Sequence, residues 1–201
     1  IKMQHTTLNY VFNDFKKKQT LVFSNSLGTD LTMWDKQIEL LGQEFNILRY
    51  DSRGHGKSEV TQGEYSIEML GNDVLDLLDY LKIEKVNFCG LSIGGLTGHW
   101  LGIHAAERLN KLILCNTAVK IGNNKGWNRR IEAVQNSGLK SIVSATQERW
   151  FTAEYVTANK VEIDLVLSKF VRTPLAGYTS SCAAVRDADF TDQVSKIIAP
   201  T

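Results

Sequence analysis

Residues Val86 to Leu96 read V-N-F-C-G-L-S-I-G-G-L and hold an arrangement able to do covalent chemistry. An apolar run, Val86 to Cys89, enters a Gly-Leu-Ser-Ile-Gly turn, and a segment of helical periodicity, Leu96 to His104, leaves it. Buried strand, tight turn carrying a serine, then helix is the layout of a nucleophile elbow. Small residues at Gly90 and Gly94 suit a turn in which backbone segments approach too closely for a Cβ on either side of the serine. Ser92 is expected in a strained conformation with its hydroxyl pushed into the open. The new helix N-terminus aims N–H groups and partial positive charge at the same spot, where an oxyanion would be stabilised. The plainer reading of the same residues is a glycine-rich strand–helix turn in which Ser92 only caps the helix.

Acyl transfer at a serine needs a base, a group that orients the base, and oxyanion donors. One donor would be the Ile93 backbone N–H. The other comes from the loop after an early buried strand, here Asn25-Ser26-Leu27-Gly28, so Leu27 N–H is the candidate. The base is not evident. His5 falls in the first strand-like stretch, His55 in a turn, and His99 and His104 on the helix that starts at the elbow. His99, seven residues past Ser92, is about 10 Å along the helix axis at 1.5 Å per residue. All four histidines are expected in surface or core polar roles. After the strand Lys111 to Cys115 stand Asn116-Thr117-Ala118, with no carboxylate. Gly56-Lys57-Ser58 has the ending of a phosphate-binding loop, but Asp51 stands where its first glycine is required, so that reading is rejected. Arg53 is expected to anchor its loop near the site by hydrogen bonds.

These residues need elements to hold them. A chain of 201 residues with 43% hydrophobic and 22% charged content suits one soluble domain, or one with an insertion. The net charge of +1 points to neither nucleic acid nor an anionic membrane surface. Cys89, Cys115 and Cys182 are odd in number and widely spaced, and read as free thiols in a reducing compartment. No signal peptide or run of transmembrane length is visible, so a cytoplasmic protein is expected, without a membrane partner. The chain starts at Ile1 and ends at Ala199-Pro200-Thr201, and both ends read as cut from something longer.

Thr6 to Asn13 reads as a strand, Asp14 to Gln19 as a lysine-rich hairpin tip, and Leu21 to Phe23 as the returning strand. Asp30 or Thr32 caps a helix carrying Met33, Trp34, Ile38, Leu40 and Leu41, stopped by Gly42. Phe45 to Tyr50 is a strand, and Ser66 opens a helix with Leu70, Val74, Leu77, Leu78 and Leu81 on one face. Strands alternating with helices indicate an α/β fold with a mostly parallel sheet and helices on both faces. From Val119 the alternation gives way to helical patterns: Trp127, Ile131 and Val134, then Ile142, Ala145, Arg149 and Trp150, then Leu165 to Phe170. The expected division is a first core part at 1–119, a helical cap at 120–190, and the start of a return to the core at 191–201.

F-S-N-S-L-G-T-D at 23–30 with Met33-Trp34, Y-D-S-R-G-H-G-K-S at 50–58, G-L-S-I-G-G at 90–95, and the stretch from Trp127 to Arg149-Trp150-Phe151-Thr152 together resemble the α/β-hydrolases of the 3-oxoadipate enol-lactonase type. The resemblance runs along essentially the whole chain. Asn25-Ser26, where most relatives have His-Gly, is its more specific mark. It implies the α/β-hydrolase fold and a Ser-Asp-His triad with Ser92 as nucleophile. It also implies opening of a small carboxylated enol-lactone in aromatic catabolism, with no metal or organic cofactor. The family's Asp and His positions are absent here, so the last strands of the sheet are expected beyond residue 201, and residues 1–201 alone are expected to be inactive or nearly so. Other α/β-hydrolase activities on the scaffold (a C–C bond hydrolase, an esterase, a cofactor-free haloperoxidase) and a non-catalytic ligand-binding relative are the competing readings. Trp127, Arg129, Arg130, Arg149 and Trp150 put cations and aromatic rings into the segment that should cover Ser92. Trp127 and Arg130, three residues apart and so on one helical face, are the substrate-binding candidates, because Arg binds a carboxylate through two parallel hydrogen bonds. Singly, these arginines read as solvated helix faces and the tryptophans as cap core.

Overall fold

The computed structural model describes residues 6–201, so His5 lies outside the described residues. Five strands, β1 (Tyr10–Asn13), β2 (Thr20–Ser24), β3 (Asn46–Tyr50), β4 (Val86–Leu91) and β5 (Leu109–Cys115), form one sheet in the order β1-β3-β2-β4-β5. β1 is antiparallel to β3 and the other three pairings are parallel. β2 is buried along its whole length, and β4 from Val86 to Gly90. Such continuous apolar runs are what a parallel sheet covered on both faces requires. On one face Val22, Leu48, Phe88 and Leu112 pack against Val74, Leu77 and Leu78 of α2 (Ile67–Tyr80) and Leu101 of α3 (Ile93–His104). On the other, Leu21, Phe23, Ile47 and Cys89 pack against Trp34, whose ring stacks on Phe23 at 4.4 Å.

The expected hairpin is corrected. β1 and β2 are not neighbours, because β3 lies between them. The polar connection 14–19 crosses the start of β3, where Lys17 N–H donates to Asn46 Oδ1 and Asn46 Nδ2 donates to Lys17 O, both at 3.0 Å. The expected helix after Asp30 is a 3₁₀ turn, Leu31–Trp34, running into α1 (Asp35–Leu41). Asp30 caps the turn by accepting from Thr32 N–H, and Leu40 points into solvent rather than inward. Gly42 ends α1 with φ −65°, so no left-handed turn calls for it. A Cβ there would sit 2.6 Å from the Phe15 ring.

After β5 come α4 (Asn124–Ser137), α5 (Val143–Trp150), α6 (Ala153–Ala158), α7 (Lys160–Val171) and α8 (Leu175–Asp187), with no strand among the described residues of this stretch. Their apolar faces meet Leu27, Ile93 and Leu96 through Val134, Phe170, Tyr178 and Val185, joined by Leu139 of the 3₁₀ turn between α4 and α5. α8 docks backbone to backbone on the loop after β3: a Cβ on Gly177 would lie 2.0 Å from Gly54 O. Near residue 200 the chain returns to the sheet, and Pro200 O accepts from Leu112 N–H at 2.9 Å.

Candidate active site

β4 ends one residue before Ser92 and α3 begins one residue after it. Ser92 has φ 57° and ψ −113°, a left-handed conformation that a side-chain-bearing residue adopts only under strain. The neighbours over-determine it. Ser92 N–H donates to Cys115 O at 3.0 Å, and Ser92 O accepts from Thr117 Oγ1 at 2.8 Å. A Cβ on Gly90 would lie 2.1 Å from Gly94 O, one on Gly94 2.4 Å from Ser24 O, and one on Gly95 2.6 Å from Thr117. The half-buried Ser92 makes no cap hydrogen bond with its side chain, so the helix-capping reading of the elbow does not describe its hydroxyl.

Leu27 and Ile93 belong to one apolar cluster beside this turn. Among the described residues neither of their N–H groups has a protein acceptor. The loop that carries Leu27 is held from several sides. Asn25, buried, donates to Tyr50 O at 2.8 Å and accepts from Trp34 Nε1 at 2.8 Å. Gly28, at φ 79°, donates its N–H to His55 Nε2 at 3.0 Å. A Cβ on it would sit 2.6 Å from Phe170 and 3.2 Å from Tyr178.

The segment 51–58 is a structural support, as expected for Arg53. Arg53 grips Asp73 of α2 through Nε at 2.9 Å and Nη2 at 2.5 Å, both side chains buried. Asp51, also buried, accepts from Leu31 N–H at 2.7 Å, Asn9 Nδ2 at 2.7 Å and Lys57 N–H at 2.9 Å. The side chain of His55 is buried between these groups and the Leu27-Gly28 loop, and burial pushes its pKa below the usual histidine value. His99 Nδ1 faces Gly95 O within α3 at 2.9 Å, and its ring stacks on Phe190. Burial lowers its pKa too. His104 lies at the far end of α3, about 18 Å from Ser92 by helical rise. No imidazole among the described residues is therefore free beside Ser92.

The structure brings Trp127 and Arg130 together on α4. The Arg130 guanidinium lies 5.7 Å from the Trp127 ring and 5.8 Å from the Tyr178 ring, and Arg130 Nε donates to Tyr178 Oη at 2.7 Å. Burial raises the Tyr178 pKa, which keeps the phenol protonated. Trp127, Arg129, Arg130 and Arg149 line an open groove of about 440 Å³ together with Ile142 and Gly122. Ser92, Leu27 and Ile93 do not line it. Tyr178 is the link, since its ring stands against Gly28 while its hydroxyl meets Arg130. Trp150 packs edge-on against Phe170 at 5.6 Å and serves the apolar interior of the helical layer. His55 takes a core polar place, within the expectation for it, but nothing local in the sequence shows that residue 55 meets residue 28. The glycines on either side, Gly54 and Gly56, both at positive φ, were the available signal that the loop is sharply shaped.

Residues 19–137 match the family described as the alpha/beta hydrolase fold. The chain is 41% identical over 198 residues to 3-oxoadipate enol-lactonase 1 of Acinetobacter baylyi, covering 98% of this chain and 74% of that protein. Its fold superposes with a TM-score of 0.96 on the crystal structure of the enol-lactonase from Burkholderia xenovorans LB400, at 42% identity over 98% of this chain and 77% of that one. A hydrolase from Pseudomonas aeruginosa PA01 superposes with a TM-score of 0.93 at 37% identity, over 98% of this chain and 74% of that one.

Proposed function

The chain belongs to the α/β-hydrolase family and is a hydrolase of the enol-lactonase type, and from that premise we propose that Ser92 opens a small carboxylated enol-lactone, 3-oxoadipate enol-lactone, to 3-oxoadipate. The observation that carries the reading is the strained φ of 57° at Ser92, held between the end of β4 and the start of α3 beside two N–H groups without acceptors. Ser92 Oγ attacks the lactone carbonyl, and the oxygen of the tetrahedral intermediate accepts from Leu27 N–H and Ile93 N–H. Collapse breaks the ring C–O bond. The leaving enol oxygen takes a proton and the enol becomes the 3-oxo group. Water then cleaves the acyl-serine. The base and its orienting acid are assigned to none of the described residues.

The helices of 120–190 act as a cap over Ser92, on a core of 1–119 rejoined at 191–201. Arg130 holds the substrate carboxylate and the Trp127 ring packs beside it as part of the substrate site, its Nε1–H donating to Ile121 O at 2.7 Å, and the cation set around them suits a reaction whose product is a dianion. The three free thiols fit the reducing cytoplasm. The test is turnover of 3-oxoadipate enol-lactone by the full gene product that contains these residues. Ser92→Ala is expected to lower kcat by on the order of 10⁵–10⁶-fold, as loss of the nucleophile does in serine hydrolases. Turnover that survives in the Ala variant would remove Ser92 from the chemistry.

A further inference from the structure

Ser26 to Thr29 form a tight turn in which Thr29 N–H donates to Ser26 O at 3.3 Å and Gly28 takes φ 79°. Positive φ at the third residue of such a turn marks the orientation of the central peptide, the one joining Leu27 to Gly28. That peptide could flip, since the alternative turn type is open to almost any sequence. Here it is pinned by an imidazole: Gly28 N–H donates to His55 Nε2 at 3.0 Å. For Nε2 to accept, the ring proton must sit on Nδ1, which faces Arg53 O at 3.3 Å. Arg53 is itself fixed by its buried ion pair with Asp73. The turn is therefore tied, through one histidine, to a loop that a buried ion pair holds to α2.

We infer that His55 is a positioning residue of the oxyanion hole: its Nε2 takes up the Gly28 N–H, locks the turn, and leaves the Leu27 N–H as the donor turned to the reacting oxygen. This rests on the assignment of Leu27 as an oxyanion donor. The claim separates His55 from an ordinary buried histidine by its acceptor atom. What matters is an acceptor at the Nε2 position, rather than a ring that fills space. Without this anchor the Ser26–Thr29 turn is free to shift as a unit and carry Leu27 out of line, and a displacement of about 1 Å at a reacting centre costs on the order of 10²-fold in rate.

The experiment uses the full gene product and two variants. His55→Gln keeps a side-chain acceptor, and His55→Phe keeps a ring without one. The expected result is a kcat within about fivefold of the parent for His55→Gln. For His55→Phe it is a loss of roughly 10²-fold in kcat, similar to removal of one oxyanion donor, with KM changed less than about threefold. Equal kcat in the two variants, corrected for folded fraction by the melting curve, would overturn the inference. A direct measurement decides the matter if His55→Phe does not fold. In the ¹⁵N spectrum of the parent, His55 should be the neutral tautomer protonated on Nδ1, with a scalar coupling from its Nε2 to the Gly28 amide nitrogen. A proton on Nε2, or no coupling, would overturn it as well. Ser92→Ala in the same assay keeps the two readings apart. An active Ala variant defeats the serine assignment, whereas a dead one beside an unimpaired His55→Phe defeats only the role of His55.

Discussion

A methyl group on residue 90 would stand 2.1 Å from Gly94 O, and no rotation relieves that contact because the backbone fixes the Cβ and its partner is itself a backbone atom. Gly90→Ala is therefore expected to abolish folding or lower the melting temperature by more than about 10 °C, a loss of several kcal/mol. Gly126→Ala supplies the contrast: its Cβ would meet nothing closer than Asn123 Oδ1 at 3.5 Å, on an exposed turn of α4. It should raise stability by roughly 0.5–1 kcal/mol. Melting curves of both variants check the pair, and equal effects would mean that the close approach to Gly94 O does not govern Gly90. Arg130 is the residue-scale test of specificity. Arg130→Ala should lower kcat/KM for a carboxylated lactone by about 1.5–3 kcal/mol, the value of a charged hydrogen bond, and leave a neutral lactone of similar size nearly unchanged. Equal losses on both substrates would mean that Arg130 only props Tyr178. At this scale much was legible. Gly90, Ser92 and Gly94 stand within one turn, and Trp127 and Arg130 within one helical face, so spacing alone placed them. His55 was not legible, because its partner Gly28 is 27 residues away.

Elements follow the same division between local and distant information. The apolar runs that make β2, β4 and β5 and the face of α2 carry their own periodicity, and so does the change to helices after Val119. Pairing does not. A lysine-rich tip between two strand-like runs looks like a hairpin, yet the Asn46 side chain ties that connection across β3 and puts β3 between β1 and β2. The docking of α8 is likewise a property of two distant glycines. In a helix interior Gly→Ala normally stabilises by about 0.5–1 kcal/mol. Gly177→Ala should do the reverse, because its Cβ would lie 2.0 Å from Gly54 O and must push α8 off the loop that carries Arg53 and His55. A loss of roughly 1–3 kcal/mol, as for overpacking elsewhere, is expected in urea unfolding. A stabilised Gly177→Ala would show that α8 does not rest on Gly54.

For the molecule as a whole, the buried histidines set a pH limit. His55 and His99 both have pKa values held below 6.5 by burial. The unfolded chain therefore binds protons that the folded chain refuses as pH falls through about 6.5, and stability drops with decreasing pH over that window. Above pH 7 both states carry neutral rings and the full stability is present. Below the folded-state values the loss levels off. A second, separate loss lies lower: Asp14, Asp187 and Asp189 have pKa values below 3.8 through hydrogen bonds to Lys16, Arg186 and Lys120 respectively, so folding gains from them above about pH 4 and loses that gain as acid protonates them. These carboxylates are exposed, so salt weakens their contribution, whereas the histidine contribution is shielded from salt. Urea unfolding at pH 7.5 and pH 5.5, at low and high salt, separates the two. The expected result is a lower midpoint at pH 5.5 that persists at 0.5 M salt and shrinks in His55→Gln, which keeps the acceptor but cannot take a proton. A midpoint that is flat from pH 7.5 to 5.5, or a drop that salt removes, would mean that the imidazoles of His55 and His99 find water on protonation. The turn that His55 holds would then be free to move in the native state.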